Sequence, residues 1–446
     1  MTDIAALQAE LAEKGVRHCI ASYVDMHGVS KSKFVPLSHL SDMAEGSEMF
    51  TGAALDGVPQ EINDEEVCCM PAMDQGVILP WEPSIALFPS DLWCEGKPFA
   101  ACSRNILGRQ TAKAAEQGYT LNMGVEAEFF VFRDNENGRE PVSPQAHLEK
   151  PAYDTSRLLD NYHWLGELVD AMDGLGWGVY SFDHEDGIGQ VEIDFNYADV
   201  KTMADRFVFL RMMATKMANQ HGAFATFMPK PFGERTGSGA HYNMSLADAS
   251  GANLFKSDSD PRGCGLSELG YQFLAGILRH LPAIMAVVAP TVNSYKRLVK
   301  QGSMSGFTWA PVFACYGDNN RTNAMRIPKG GGRVELRAAD SACNPYLGAA
   351  MVLAAGLEGI AEDLDPGEPN TDNMYLVSDE ERAARGIDML PRTLDEAVRA
   401  FKADPLSKQV FGEAMFDSWV EFKEQEWLSY LNHVSDWEVQ RYLRFY

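Results

Sequence analysis

Two glutamates, Glu126 and Glu128, interrupt the otherwise apolar run Leu121–Arg133 (LNMGVEAEFFVFR), and they constrain this chain more than any other feature. Val125, Phe129, Phe130, Val131 and Phe132 are bulky and β-favouring, and Gly118 and Gly124 punctuate the run, so a strand is expected. Side chains alternate faces along a strand, which puts both carboxylates on one face a few ångströms apart. Burying either charge alone is costly. Protons, arginines or a cation must compensate, unless that face simply lies wet at a sheet edge. A hard divalent ion, which takes several carboxylate oxygens, is the sharper expectation.

At 446 residues the chain exceeds one ordinary domain, and two are expected. A hydrophobic content of 46% is enough for a large core. The formal net charge of −25 makes nucleic acid and anionic membrane surfaces poor partners, so an anionic substrate needs a local basic pocket. Eight cysteines (Cys19, Cys68, Cys69, Cys94, Cys102, Cys264, Cys315 and Cys343) show no paired CxxC spacing, so reduced thiols in the cytoplasm are expected. The N-terminus, MTDIAALQAELAEKG, reads as an amphipathic helix with a Gly stop rather than a signal peptide. The longest apolar run, Leu281–Val292, is broken by Pro282 and Pro290 and falls short of the ~20 residues of a membrane span.

Taken in order, His18–Val24 and Gly28–Val35 read as a strand pair, and the Gly- and Pro-rich stretch to Pro98 as the rest of a small β-rich domain. A helix over Asn105–Gln117 leads into the Glu126/Glu128 strand. Further helices are expected over Ser156–Met172, Lys201–His221, 266–289 and 346–364, with a strand at Trp177–Phe182. Trp419, Trp427 and Trp437 in the helical C-terminal quarter suit core packing, with a subunit contact as the alternative.

Three other pieces match the opening strand. Glu185 and Glu192 flank a DGIG turn that can bring their carboxylates together, with Glu192, Asp194 and Asn196 sharing one strand face. KPFGERTGSGAHYNMS (Lys230–Ser245) places His241 directly after a Gly-Ser-Gly segment, whose backbone can approach a ligand closely. RVELR (Arg333–Arg337) puts Arg333, Glu335 and Arg337 on one face. Between Lys296 and Arg337 there are eight basic residues against two acidic ones (Asp318, Glu335), five of them arginines: Arg297, Arg321, Arg326, Arg333 and Arg337. The planar guanidinium fork binds carboxylate and phosphate bidentately, so an anionic substrate or phosphoryl group is expected here.

Together these pieces (GVEAEFFVF, HEDGIGQVEIDF, FMPKPFGERTGSGAHYNMS, NSYKRLV, NNRTNAMRIP, RVELRAADSACNPYLGAA and SDWEVQRYLRFY) resemble the glutamine synthetase family over nearly the whole chain, most strongly from Asn105 to Pro345. The resemblance implies an α+β fold: a small β-grasp-like N-terminal domain (residues 1–100) and a C-terminal catalytic domain (101–446) with a curved antiparallel sheet flanked by helices. It implies a dodecamer of two hexameric rings with sites shared between neighbours. Mg²⁺ or Mn²⁺ would be bound, two or three per site, with ATP as co-substrate. Glu128, Glu185 and Glu192 would hold one ion; Glu126, His241 and Glu335 would hold a second. Arg297 and Arg337 resemble glutamate-carboxylate clamps beside the Gly237 backbone and Glu128, and Arg321 the group facing the transferred phosphoryl. Arg326, Arg333, Lys230 and Ser245 would lie on the nucleotide. The implied chemistry is phosphorylation of the glutamate γ-carboxylate by ATP, then attack by an amine.

Departures from the family pattern bear on the amine. The family's FDGSS stretch is here FTGAALDG, with Thr51 at the position of its ammonium-binding Asp and Asp56 as a stand-in. The closing loop is longer, LVKQGSMSGFTWAP, with Thr308 or Trp309 where the family has a Glu, and Phe307 nearby. Losing two carboxylates and gaining aromatic faces suits an alkylammonium, for which cation–π attraction adds to methyl burial worth ~0.8 kcal/mol per carbon. This resembles the γ-glutamylmethylamide synthetase (glutamate–methylamine ligase) branch. An ammonia-using enzyme with a rebuilt pocket, a non-catalytic structural ring and a metal-dependent hydrolase remain as alternatives. Asn243 replaces a second family His, and NMYLVS around Tyr375 departs from the family's adenylylation loop.

Overall fold

The computed structural model describes residues 2–136, 138–143, 150–300 and 309–446. The chain is α+β, built on two sheets. The first is seven-stranded: β1 (His18–Val24), β2 (Ser30–Pro36), β3 (Met49–Phe50), β4 (Val67–Pro71), β5 (Val77–Ile78), β6 (Ile85–Cys94) and β7 (Lys97–Pro98). Its order is β2-β1-β6-β4-β3, with β1 and β6 parallel at the centre and antiparallel partners outside, which is the β-grasp-like arrangement. One of its apolar clusters, including Leu11, Leu40, Val67, Phe88 and Leu92, stays within this region. Ile20, Val24 and Leu87 instead join the main core of the molecule.

The second sheet is nine-stranded and carries the site. Its strands are β8 (Thr120–Arg133), β9 (Val179–His184), β10 (Gln190–Phe195), β11 (Ala198–Asp199), β12 (Ala223–Thr226), β13 (Ala240–Ala247), β14 (Tyr316–Asp318), β15 (Met325–Ile327) and β16 (Val334–Leu336). The order β14-β15-β16-β13-β8-β10-β9 is antiparallel throughout except for the parallel β14/β15 pair at one end. The long central strand β8 also pairs β11 and β12. One face of β8 contributes Leu121, Met123, Val125, Ala127 and Phe129 to the core; the other is left to Gly124, Glu126 and Glu128.

Helices cover the apolar side, and their starts are written in the sequence. Asp154, Asp199, Ser267 and Asn344 accept backbone N–H bonds at the starts of Thr155–Gly174, Val200–Gln220, Glu268–Val288 and Pro345–Ala361, the last with Pro at its first position. The Glu268–Val288 helix runs on through Pro282, so the apolar stretch is longer than its prolines suggest. By length and composition it could cross a membrane, yet 78% of its apolar window is buried inside the protein. It packs on Pro345–Ala361 so closely that a Cβ on Gly276 would lie 2.0 Å from the Ala355 carbonyl oxygen. Trp419 is buried in the core, Trp427 partly so, while Trp437 is exposed along with Leu431, Leu443 and Phe445.

Candidate active site

Strand register assembles the site. Glu128 on β8 lies opposite Glu192 on β10, and Glu126 opposite His241 on β13. Asn243 on β13 lies opposite Glu335 on β16, which in turn faces Arg326 on β15. Cross-strand partners share a face, so a row of acids, one imidazole and one guanidinium crosses the sheet on the side away from the helices. The ligand atoms of Glu126, His241 and Glu335 all lie within 4.8 Å of one another.

Each of these carboxylates is held. Glu126 accepts from His241 Nδ1 (2.8 Å) and Asn243 Nδ2 (2.9 Å). Burial pushes its pKa up, but the His241 hydrogen bond and charge, Arg337 and Asn243 outweigh this and hold it at about 2. Glu335, with no exposed surface, is gripped by Arg326 Nη1 (2.6 Å) and Arg337 Nη1. Glu128 Oε2 accepts from Gly239 N (2.8 Å) and Gln190 Nε2 (2.9 Å). A Cβ on Gly239 would sit 2.7 Å from His241 Nε2 and 2.8 Å from Arg297 Nη2, so only glycine lets the backbone reach Glu128.

Glu185 and Glu192 answer to the opposite logic. Burial and the Glu128 charge raise Glu185 to about 8; burial with Glu128, Glu185 and Glu126 pushes Glu192 well up. Asp194 is lifted to about 7 by burial, Glu126 and Asp183. Four carboxylates thus crowd one another's fields with too few cations among them. That is a donor set awaiting positive charge, and hard oxygens with one imidazole suit Mg²⁺ or Mn²⁺.

The arginines divide by burial. Arg297 donates to Ala338 O (3.2 Å) and Arg337 O (3.0 Å), with its Nη2 3.4 Å from His241 Nε2. Arg337 bridges Glu335 and the Trp309 carbonyl (3.1 Å). Arg333 Nε donates to Asn243 Oδ1 (3.0 Å), and with Ser245 it lines a cavity of about 310 Å³ that also borders Glu126, Asp194 and the exposed aromatic Tyr180. Arg321 stands apart, exposed in the turn between β14 and β15, with the Tyr153 ring within range of its charge. Lys230 is not brought to that cavity: it is buried, its ammonium on the Arg235 carbonyl, and burial together with the Arg297 charge lowers it to about 8.

Trp309 closes a second, narrow cavity lined by Glu128, Glu185, Gly237, Arg297 and Arg337. Its backbone is held at φ 56°, a left-handed conformation uncommon for a bulky residue, and its ring remains 45% exposed. Phe307 and Thr308 lie outside the described residues. Asp56 is paired with His27 (3.2 Å) in the N-terminal sheet region, and Thr51 is exposed nearby.

Three contributors escaped the sequence reading. Gln190 ties Glu128 to the Gly237 carbonyl (3.0 Å) and to Thr236; its place two residues before Glu192 on one strand was the available signal. Asp186 accepts from the Trp309 indole. Tyr375 donates its hydroxyl to the Ala310 carbonyl (2.7 Å), pinning the end of the closing loop, a long-range contact with no local signature.

The model of the glutamine synthetase catalytic domain matches residues 100–442. A glutamate–methylamine ligase of Methyloversatilis universalis is 40% identical over 440 residues, covering 98% of this chain and 99% of its own length. A glutamine synthetase of Rhizobium leguminosarum bv. phaseoli is 37% identical over 434 residues, covering 97% and 98%. A solved GmaS–ADP complex superposes with a TM-score of 0.92 at 39% identity, covering 99% of this chain and 100% of that one. Ligand-free GmaS gives 0.89 at 37%, covering 100% of both. Matched over its catalytic domain and aligned end to end with such relatives, the chain belongs to the glutamine synthetase family.

Proposed function

We propose that this protein is an ATP-dependent ligase that joins glutamate to a short alkylamine, methylamine first among them, through γ-glutamyl phosphate. The observation that carries this is the register that lines up Glu126, His241, Glu128, Glu192 and Glu335 beside Arg297 and Arg337. The similarity to a glutamate–methylamine ligase, together with Trp309 at the mouth of the inner cavity, supports methylamine as the acceptor.

A γ-carboxylate oxygen of glutamate attacks the γ-phosphorus of ATP, and ADP leaves. The amine nitrogen then attacks the acyl carbon, phosphate departs with that oxygen, and the nitrogen loses a proton. In this reading Arg297 and Arg337 hold glutamate beside the Gly237 backbone. Arg321 moves onto the phosphoryl group as negative charge gathers between two anions. Arg333 and Ser245 border the nucleotide, for which the 310 Å³ cavity they line is the space, and Arg326, outside that lining, would reach the phosphates from beside Glu335. Glu128, Glu185 and Glu192 would hold one Mg²⁺ or Mn²⁺, and Glu126, His241 and Glu335 another. Bound there, the ions supply charge neutralisation to the phosphates.

We divide the chain into residues 1–100 and 101–446, the first contributing to a neighbour's site within a ring assembly. The exposed apolar C-terminal residues Leu431, Trp437, Leu443 and Phe445 suit burial between subunits. Eight free thiols suit the reducing cytoplasm.

Phosphate release from ATP and glutamate across an amine series tests the reading. Methylamine is expected to exceed ammonia in kcat/KM; the reverse order would instead assign the glutamine synthetase activity for which the Rhizobium leguminosarum relative is named.

A further inference from the structure

Arg326 is held at two corners of its guanidinium. On one side Glu335, its cross-strand partner on β16, accepts from Nη1 (2.6 Å). On the other, Asn319 Oδ1 accepts from Nη2 (2.7 Å). An arginine only donates, so the Asn319 amide must present its oxygen here. Bonds at two nitrogens fix the plane of a rigid fork and leave donors on the same group for an anion.

Asn319 follows β14 and closes its pairing with β15: its N–H donates to Ile327 O (2.8 Å), one residue beyond Arg326. Its backbone is left-handed at φ 48°, a conformation that asparagine tolerates better than most residues with a side chain. The reversal lets one exposed residue use its N–H and its side chain on adjacent residues of β15. The rest of the turn is tied to other segments. Asn320 Nδ2 donates to Asp372 O (2.8 Å), and Thr322 Oγ1 accepts from Met374 N (3.1 Å) and donates to Asn320 Oδ1 (2.7 Å). Among the described residues, Asn319 and Glu335 are the side chains that hydrogen-bond Arg326. Glu335 is assigned above to a divalent ion that competes for its oxygens, which leaves Asn319 as the anchor no ion claims. Being neutral, it holds the guanidinium without cancelling its charge.

We propose that Asn319 is a positioning residue of the nucleotide site, its side-chain oxygen keeping the Arg326 guanidinium aimed at the phosphates of ATP. The proposal rests on the reading of Arg326 as a phosphate-binding group.

Steady-state kinetics of Asn319→Gly, Asn319→Ala, Arg326→Ala and the Asn319→Gly/Arg326→Ala double variant test it. Glycine keeps the left-handed backbone and removes only the anchor, so it separates the two roles of the position. Asn319→Gly should raise the ATP KM about five-fold or more, with the glutamate KM within about two-fold of wild type and Tm unchanged. Asn319→Ala should raise the ATP KM at least as far. An ATP KM unchanged in the glycine variant but raised in the alanine variant would overturn the proposal, because the position would then matter only as a left-handed turn. Glutamate and ATP KM values rising together in Asn319→Gly would overturn it too, as a general loosening of the site. In the Arg326→Ala background, Asn319→Gly should add no further loss in ATP KM; a second loss as large as the first would show that Asn319 acts through some other group. Arg326→Ala alone separates the two levels. An unchanged ATP KM there removes the phosphate role of Arg326, and this inference with it; a raised one beside a silent Asn319→Gly rejects the positioning role only.

Discussion

The indole N–H of Trp309 donates to Asp186 Oδ2 across 3.2 Å, joining the end of the closing loop to the turn that carries Glu185. The contact holds Trp309 at the inner cavity, and Trp309 is one of the two positions, with Thr308, read from the sequence as taking the place of a family carboxylate. Replacing it with Trp309→Glu should therefore shift the methylamine-to-ammonia ratio of kcat/KM toward ammonia by about ten-fold. That figure combines one methyl's burial with a weak cation–π contact. Competition between the two amines in one assay reads the ratio directly; no change removes Trp309 from amine selection.

Glu128 and Arg321 should be dispensable for folding and indispensable for turnover. Arg321 is exposed, so Arg321→Ala should leave Tm unchanged while kcat falls by about a thousand-fold or more. Glu128→Ala should lose a similar factor with the secondary structure retained. Circular dichroism beside a phosphate-release assay checks both, and near-full turnover in either variant would show the role misplaced.

Glu192 should cost the metal-free protein stability, because its carboxyl is buried among Glu128, Glu185 and Glu126. Glu192→Gln removes that repulsion, so the metal-free variant should be at least as stable as wild type while Mn²⁺ affinity drops ten-fold or more. Saturating Mn²⁺ should raise wild-type Tm, since an ion at 100 times its Kd adds about 2.7 kcal/mol. Thermal melts with and without Mn²⁺ give both results. A variant that loses stability and keeps its Mn²⁺ affinity would mean the glutamates do not share an ion.

His280 sets a pH dependence far from the site. Its Nδ1 lies 2.7 Å from Asp404 and its Nε2 2.8 Å from Glu358. Burial lowers its pKa, but the two carboxylates outweigh that and leave it raised. A raised folded pKa stabilises fully below the unfolded value near ~6.5 and fades as pH climbs through the folded one. His280→Gln should thus destabilise more at pH 6 than at pH 9, measured by urea unfolding at both. Equal losses would show that His280 is held neutral.

Alternation along single strands made much of this legible in advance. Period two placed Glu126 with Glu128, and Glu192 with Asp194, on shared faces; the structure keeps both pairs and adds the cross-strand partners. The helices expected over Ser156–Met172 and Lys201–His221 lie within two residues of the observed limits, Thr155–Gly174 and Val200–Gln220. What stayed hidden depends on contacts distant in sequence. Gln190 and Tyr375 reach the site only after folding, and the fate of Lys230 turns on a loop carbonyl five residues away rather than on its motif. The continuation of Glu268–Val288 through Pro282 agrees with the helix expected over 266–289, and packing rather than propensity sustains it.

Positional isotope transfer tests the central claim most directly. Glutamate carrying ¹⁸O in both γ-carboxylate oxygens is incubated with ATP, Mg²⁺ and methylamine, and the released phosphate is examined by mass spectrometry. Passage through γ-glutamyl phosphate predicts one ¹⁸O in each phosphate and one in each γ-glutamyl amide. Unlabelled phosphate, with both labels retained on glutamate, would contradict it.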